Sequence, residues 1–256
     1  VPLAERHRRY RAMHRRALDD QLALLPVAAA ARSATVSVVC VTNRPGMLES
    51  VIDNFRRQTW EHKRLTVVTN ADGFDESHMN ELVDRVGGDT IRTDPQVSLG
   101  ACLNLALDRS DTRYVAKIDD DDIYGEHYLE DLMLAHRYAD AGVVGKHSYF
   151  AHLADADETI LRFPGGDFCY TPYLAGGTLV IDRDRTKSVR FPDVSVGEDQ
   201  GFIVACLRRG ISTFSADRFN YVQVRAADNT WRADDESYRA ASEPVGPGLA
   251  RDVALI

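Results

Sequence analysis

No stretch of this 256-residue sequence approaches the roughly 18 to 20 consecutive apolar residues that crossing a bilayer requires. The start is basic and polar and lacks the apolar core of a secretory leader. These two absences lead to the expectation of a cytoplasmic protein, or one peripheral to a membrane. Cysteine is sparse: Cys40, Cys102, Cys169 and Cys206 stand far apart with no CxxC pair, and three of them fall inside apolar runs. That spacing favours buried free thiols over a disulfide framework or a zinc site. Positive charge is in deficit, with a formal net charge of -8. The broad basic face of a general nucleic-acid binder is therefore excluded, and an acidic site here must recruit metal to hold anions. Internal repeats and low-complexity linkers are missing as well.

What is present is enough apolar material, 44% of the residues, to bury a sizeable core as one large domain or two small ones. The chain is organised around Tyr114 to Gly125, YVAKIDDDDIYG, where an apolar run passes straight into Asp119, Asp120, Asp121 and Asp122. The run reads as a buried strand whose carboxyl end presents its acids at a sheet edge, which is where open α/β sheets bind ligands. Like charges this close raise one another's pKa, and a hard cation would relieve them. Oxygen-only ligands suit magnesium, manganese or calcium. A solvated acidic turn is the alternative that these residues by themselves leave open.

In chain order, six arginines between Arg6 and Arg16 are followed by LALLPVAAAA. They predict a helix with a basic face over residues 1–31, either an extension or the tail of an upstream domain in a longer chain. Its arginine density leaves little apolar surface to bury, so the core is expected to fold without it. The globular part begins at Val36 with VSVVCVT, a strand buried on both faces. Asn43 and Pro45 open a helix carrying Leu48, Val51, Ile52 and Phe55 at helical spacing, and a second strand, Leu65 to Thr69, runs into NADGFD. Asn70 and Asp72 then stand at the same sheet edge as the aspartates, unless they form a plain turn. A short strand over Thr90 to Thr93, a helix over Leu99 to Asp108 and the strand Tyr114 to Ile118 follow. The next helix carries Tyr128, Leu129, Leu132 and Ala135, and Gly142 is expected to end it as a left-handed cap.

Beyond Val143 strands shorten and turns multiply, with FPGGDF at Phe163 to Phe168 and GGTLVID at Gly176 to Asp182. Adjacent glycines let a backbone approach a ligand, and they also make ordinary loops. Glu198 and Asp199 of VGEDQGF fall in the first turn of a helix, where acids complement the dipole. The last expected strand is Tyr221 to Val224, and residues 242–256 read as a C-terminal tail.

Taken together, VSVVCVTNRP, NADG, a GxxxN helix at Gly100 to Asn104, IDDDDIY and GED resemble the GT-A glycosyltransferases, in particular the inverting family 2 type. The resemblance runs from Val36 to Trp231 and lies in order and spacing. It implies an α/β fold over residues 32–241: a Rossmann-like, mostly parallel sheet flanked by helices, with a smaller mixed C-terminal subregion. It implies transfer of a sugar from a nucleotide-diphosphate donor, a UDP-sugar, to a glycan or other hydroxyl acceptor. Thr42 and Asn43 would line the base pocket, Asp72 would approach the base edge and Asp119 would meet the ribose. Asp121 would hold Mn2+ or Mg2+ on the donor's phosphates, within a one-residue ambiguity along the run. Gly176 and Gly177 would admit sugar and acceptor, and Asp199 would be the general base.

Two departures from the family pattern stand out. The helix over Leu99 to Asp108 lacks the arginine that related enzymes carry there, so the phosphates would rely on the metal and on Arg225 or Lys117. No histidine follows the last strand, where the chain reads VRAADNTW with Ala226 and Ala227; His147 and His152 are the substitutes to consider. Two rival readings remain: a module that binds nucleotide-sugar without turnover, and a nucleotidyltransferase. The second wants a phosphate-cradling Gly/Lys loop after the first strand, and VTNRPGM is a poor match.

Overall fold

The computed structural model describes residues 3–22, 34–226 and 235–256. The segments 23–33, which hold most of LALLPVAAAA, and 227–234, which include Ala227 and Trp231, lie outside the described residues.

After α1 (Leu3–Leu22), the chain alternates strand and helix: β1 (Val36–Thr42), α2 (Leu48–Arg56), β2 (Lys63–Thr69), α3 (Glu76–Asp84), β3 (Asp89–Arg92), α4 (Leu99–Arg109) and β4 (Tyr114–Ile118). Alternation within VSVVCVT explains why both sheet faces are covered. Val36, Val38 and Cys40 join one core with Leu48, Val51, Ile52 and Phe55 of α2. Val39 points the other way, into a second core with Cys102, Leu103, Ala106 and Leu107 of α4. A strand buried on both faces is the parallel-sheet signature. β1 pairs in parallel with both β2 and β4, and β2 with β3.

The second half contributes β5 (Ile123–Tyr124), α5 (Tyr128–Tyr138), β6 (Val143–Gly145), β7 (Tyr149–Leu153), β8 (Glu158–Arg162), β9 (Cys169–Tyr170) and β10 (Val180–Asp182). It continues with α6 (Arg183–Thr186), α7 (Glu198–Leu207), β11 (Thr213–Ser215), β12 (Tyr221–Arg225), α8 (Asp235–Arg239), β13 (Ser242–Pro247) and α9 (Arg251–Ala254). Among the described residues the main sheet has eight strands in the order β3-β2-β1-β4-β10-β6-β11-β9, and a smaller one reads β13-β8-β7-β12-β5. This is the expected Rossmann-like, mostly parallel sheet flanked by helices, with a mixed subregion after it. β10 enters antiparallel to β4, with Val180 opposite Ala116. Its leading 3-10 turn, Gly176–Thr178, is thereby delivered to the carboxyl end of β4. That one non-sequential insertion builds the wall facing the aspartates.

Three expectations are corrected. α5 ends at Tyr138 and Gly142 is absent from the residues with positive φ, so it is no left-handed cap. Its amide instead bonds Ser212 O at 2.9 Å on the way into β6. Residues 242–256 are no tail: β13 pairs antiparallel with β8, and Ala254 is buried with Phe150, Leu161, Phe219 and Val222. Val245, Leu249, Val253, Leu255 and Ile256 pack on that cluster, an apolar set too interrupted by glycine and proline to read as an element.

The basic helix α1 is also tied to the core. Arg11 pairs with buried Asp131 of α5 at 2.7 Å, Arg15 pairs with Glu130, and the His14 ring lies 4.3 Å from that of Phe168. Asn220 donates to the same Asp131 at 2.8 Å and to the Ile256 carbonyl at 2.7 Å. The two ends of the chain therefore converge on one buried carboxylate. Removing Arg11 would take away one of the two cations, with Lys146, that offset this burial, so loss of the segment is expected to destabilise the core; polar docking of this kind leaves no apolar periodicity to read. No helix among the described residues is long and apolar enough to cross a membrane.

Candidate active site

A cavity of about 430 Å³ opens where the carboxyl ends of β1, β2 and β4 meet the 3-10 turn and the N-terminus of α7. From the strand ends, Thr42, Asn43, Asp119 and Asp121 line it; from the later half come Gly176, Gly177, Asp199 and Arg225. Asn70 lines it as well. Asp72 does not. Its side chain is 83% exposed and faces Arg92 at 3.6 Å, so the strand end that was to bring it to a base carries it past the rim. His147 and His152 are also outside the lining: His147 stacks on Phe163, and His152 sits 4.0 Å from Asp157.

The four aspartates divide among different partners, with Arg44 shared by two of them. Asp122 is buried and accepts from Tyr221 Oη at 2.6 Å and from the Val224 amide at 3.0 Å, which ties β12 to the end of β4. Burial, and then the charges of Asp119 and Asp121, hold its carboxyl well above the usual range. Asp120 is buried too, and accepts from Thr42 Oγ1 at 2.5 Å and from Arg44 Nε at 3.1 Å. The same guanidinium reaches Asp121 Oδ2 at 2.9 Å. Asp119 Oδ1 pairs with Lys117 Nζ at 2.6 Å. The crowding read from the sequence is thus met by two protein cations, Arg44 and Lys117. Arg44 had no role assigned from sequence, and Lys117 was named only as a cation for the donor phosphates, although a lone lysine inside the apolar run YVAKI is a legible sign of a buried partner.

Lys117 also joins the two halves of the site. Its ammonium lies 3.4 Å from Asp199 and donates to Gly176 O at 3.2 Å. Burial would push Lys117 down, but the charges of Asp119, Asp199 and Glu198 outweigh it and hold the pKa up. Asp199 Oδ1 is buried with no hydrogen-bond partner among the described residues. The close fit requires glycine. A Cβ on Gly176 would overlap Asp199 Oδ2 and lie 2.7 Å from its Cγ, and one on Gly177 would lie 2.8 Å from Asp119 Oδ2.

Burial, followed by the charge of Asp199, pushes Glu198 up to about 8, while Asp199 is raised by burial against the opposing pull of Lys117. A carboxyl whose folded pKa is raised costs nothing below its unfolded pKa and costs increasingly more as pH climbs to the folded value. Glu198→Gln, which mimics the protonated form, is therefore expected to melt like the wild type near pH 4.5 and progressively above it as pH rises to about 8. Melting curves across that window check it; a constant offset would mean that Glu198 is ionised throughout.

Opposite the acids the cavity is aromatic. Tyr149, Tyr173 and Tyr238 line it with Gln223, and the Arg225 guanidinium sits 5.0 Å over the Tyr238 ring. A negatively charged edge, a cationic bridge and an aromatic, arginine-bearing wall make a cleft for a ligand with both an anionic and a planar part.

Residues 37–162 match the glycosyl transferase family 2 domain. That region, just under half of the chain, is similar to the family 2 glycosyltransferases, and the fold is GT-A. The match takes in β1 through β8, with Thr42, Arg44, Lys117 and all four aspartates, and stops before Gly176, Asp199 and Arg225. Among solved structures, the chain resembles the mannosyltransferase PcManGT of Pyrobaculum calidifontis, solved with GDP-Man and Mn2+. The two share 16% identity and a TM-score of 0.56 over 77% of this chain and 58% of that one. S. aureus TarS, as residues 1–349, gives 14% identity and a TM-score of 0.60 over 74% of this chain and 60% of that one. The chain thus spans about 60% of the length of either structure. No curated protein matches the sequence.

Proposed function

We propose that the domain is an inverting glycosyltransferase that moves a sugar from a UDP-sugar to a hydroxyl of a glycan or other acceptor, with Asp199 as general base and Mn2+ or Mg2+ on the donor diphosphate. One observation carries the reading: Asp119 and Asp199, 80 positions apart in sequence, face one cavity across a single ammonium, 2.6 Å and 3.4 Å from it.

Inversion needs a base on the acceptor side of the anomeric carbon and charge stabilisation on the leaving-group side. Asp199 takes the hydroxyl proton as the acceptor oxygen attacks the anomeric carbon and the nucleoside diphosphate departs. Lys117 favours the ionised form of that carboxylate against the effect of burial, and the absent Cβ of Gly176 leaves room beside it. Thr42 and Asn43 close the nucleotide end of the cavity, and Arg225 on Tyr238 offers a cation to the phosphates.

The acids fit a hard cation. The donor set is carboxylate oxygen only, Asp119 and Asp121 keep 37% and 20% of their side chains exposed, and the absent Cβ of Gly177 leaves space against Asp119 Oδ2. Asp121 and Asp119 would hold Mn2+ or Mg2+, which supplies neutralisation of the departing diphosphate's charge. That PcManGT was solved with Mn2+ and a nucleotide-sugar supports this assignment, and its guanosine donor makes GDP-sugars the comparison to run.

The test is a donor panel of UDP-hexoses, UDP-N-acetylhexosamines and GDP-mannose with a mixed glycan acceptor library, with Mn2+ or with chelator. One UDP-sugar is expected to give a product of inverted anomeric configuration, only with the metal. Nucleotide-sugar binding without hydrolysis or transfer would make the domain a binding module, and pyrophosphate release from a nucleoside triphosphate would make it a nucleotidyltransferase.

A further inference from the structure

The guanidinium of Arg44 lies where a positive charge on Asp121 is expected to come from the metal. Its Nη2 is 2.9 Å from Asp121 Oδ2, and the same group is forked onto Asp120, through Nε at 3.1 Å and through a second contact from Nη2. The two carboxylates are unlike. Asp120 is 5% exposed and fixed by Thr42 Oγ1, whereas Asp121 lines the open cavity with 20% of its side chain exposed. Arg44 itself lines the cavity with 28% of its side chain exposed. The Arg44 amide bonds Thr42 Oγ1 at 3.1 Å, so backbone and side chain are anchored on the same pair.

Two cations cannot share one carboxylate at full strength. A divalent ion arriving at Asp121 meets a guanidinium already there, and must displace it against a charge-assisted hydrogen bond. Displacement does not send the arginine into solvent, because the fork on Asp120 retains it. We propose that Arg44 is an exchangeable counter-cation: it occupies Asp121 in the donor-free protein, yields that carboxylate when metal arrives with the nucleotide diphosphate, and, still tethered to Asp120, turns its freed N–H onto the diphosphate. This rests on the metal reading above and adds two consequences to it. Metal alone binds weakly, and metal and diphosphate bind cooperatively. The arginine missing from α4 is then supplied from just after the end of β1.

Three titrations on wild type, Arg44→Gln and Arg44→Lys decide it: free Mn2+ by electron paramagnetic resonance, and UDP with and without saturating Mn2+ by calorimetry. Arg44→Gln is expected to bind Mn2+ alone roughly tenfold more tightly than wild type, since a charge-assisted bond of about 1.5 kcal/mol or more no longer competes. It is expected to bind UDP in saturating Mn2+ roughly tenfold more weakly, having lost the transferred contact. If Arg44→Gln melts too early to titrate, Arg44→Lys carries the test. A lysine keeps the charge but cannot span both acids, so its Mn2+ affinity is expected to lie above that of wild type.

Equal or weaker Mn2+ binding in the variant that is titrated overturns the counter-cation role. The two readings fail differently. If wild type binds UDP equally well with and without Mn2+, the metal assignment itself fails. If wild type needs Mn2+ but neither variant shifts Mn2+ affinity, the metal assignment stands and only the exchange is wrong.

Discussion

Asp199→Asn is expected to lower kcat on the order of 10² to 10⁴-fold while leaving donor affinity and melting temperature near those of wild type. The substitution keeps the shape that packs against Gly176 and removes the ability to take a proton. It also removes the carboxylate from Lys117, but Asp119 remains 2.6 Å from that ammonium, so the lysine is not left unpaired. Glu198→Gln is the control. Glu198, 4% exposed and pushed up to about 8, is already protonated near neutral pH, so its amide variant is expected to cost far less in turnover. The two rates are measured with the donor that the panel selects. If the acids served only as first-turn charges of α7, each amide would cost a few tenths to about 1 kcal/mol of stability and leave turnover intact. A near-wild-type kcat in Asp199→Asn would remove it as the base.

Lys117→Met is expected to destabilise the fold by about 3 to 5 kcal/mol, because removing one partner of a buried ion pair leaves the other charge uncompensated. Here three acids surround the vacated position: Asp119, Asp199 and Glu198. The effect has a pH signature that a simple packing defect lacks. With the cation gone the folded-state pKa values of Asp199 and Glu198 rise further, so the penalty is largest above those values. The gap to wild type therefore narrows as pH falls and the acids take up protons. Activity carries a second signature. Lys117 pulls the Asp199 pKa down, so its loss is expected to move the acid limb of the kcat/KM profile to higher pH. Chemical denaturation at several pH values, read with the pH-rate profile of whatever activity survives, checks both. A pH-independent stability loss with an unmoved acid limb would reduce Lys117 to a packing residue.

Much of the site was legible before the structure, and particular residues show why. Asp119 and Asp121 were placed at a ligand-binding edge because they close an apolar strand, parallel strands put their carboxyl ends on one edge, and the family resemblance added Thr42 and Asn43 at the end of β1. Asp72 was placed by the same rule and fell outside: β2 does end at the edge, but the NADG turn carries the side chain past the cavity to Arg92. A turn's direction is set by its own dihedrals, which strand order does not encode. Arg44 was quoted in TNRP without a role. Its pairing with Asp120 spans 76 positions and has no periodicity to reveal it.

The sequence by itself determined the alternation of strand and helix through β4, the two-faced burial of β1 and the edge that holds the aspartates. These follow from side-chain period and element order, which are local properties. Only the tertiary structure decided that β10 runs antiparallel beside β4, that its glycine turn therefore abuts Asp199 and Asp119, and that Lys117 lies between them. It also decided that residues 242–256 and the arginine helix belong to the folded body. Those outcomes depend on which distant surfaces complement each other in shape and charge. A buried ion pair or a Cβ-free approach is a property of two segments at once, and no window along one of them contains it.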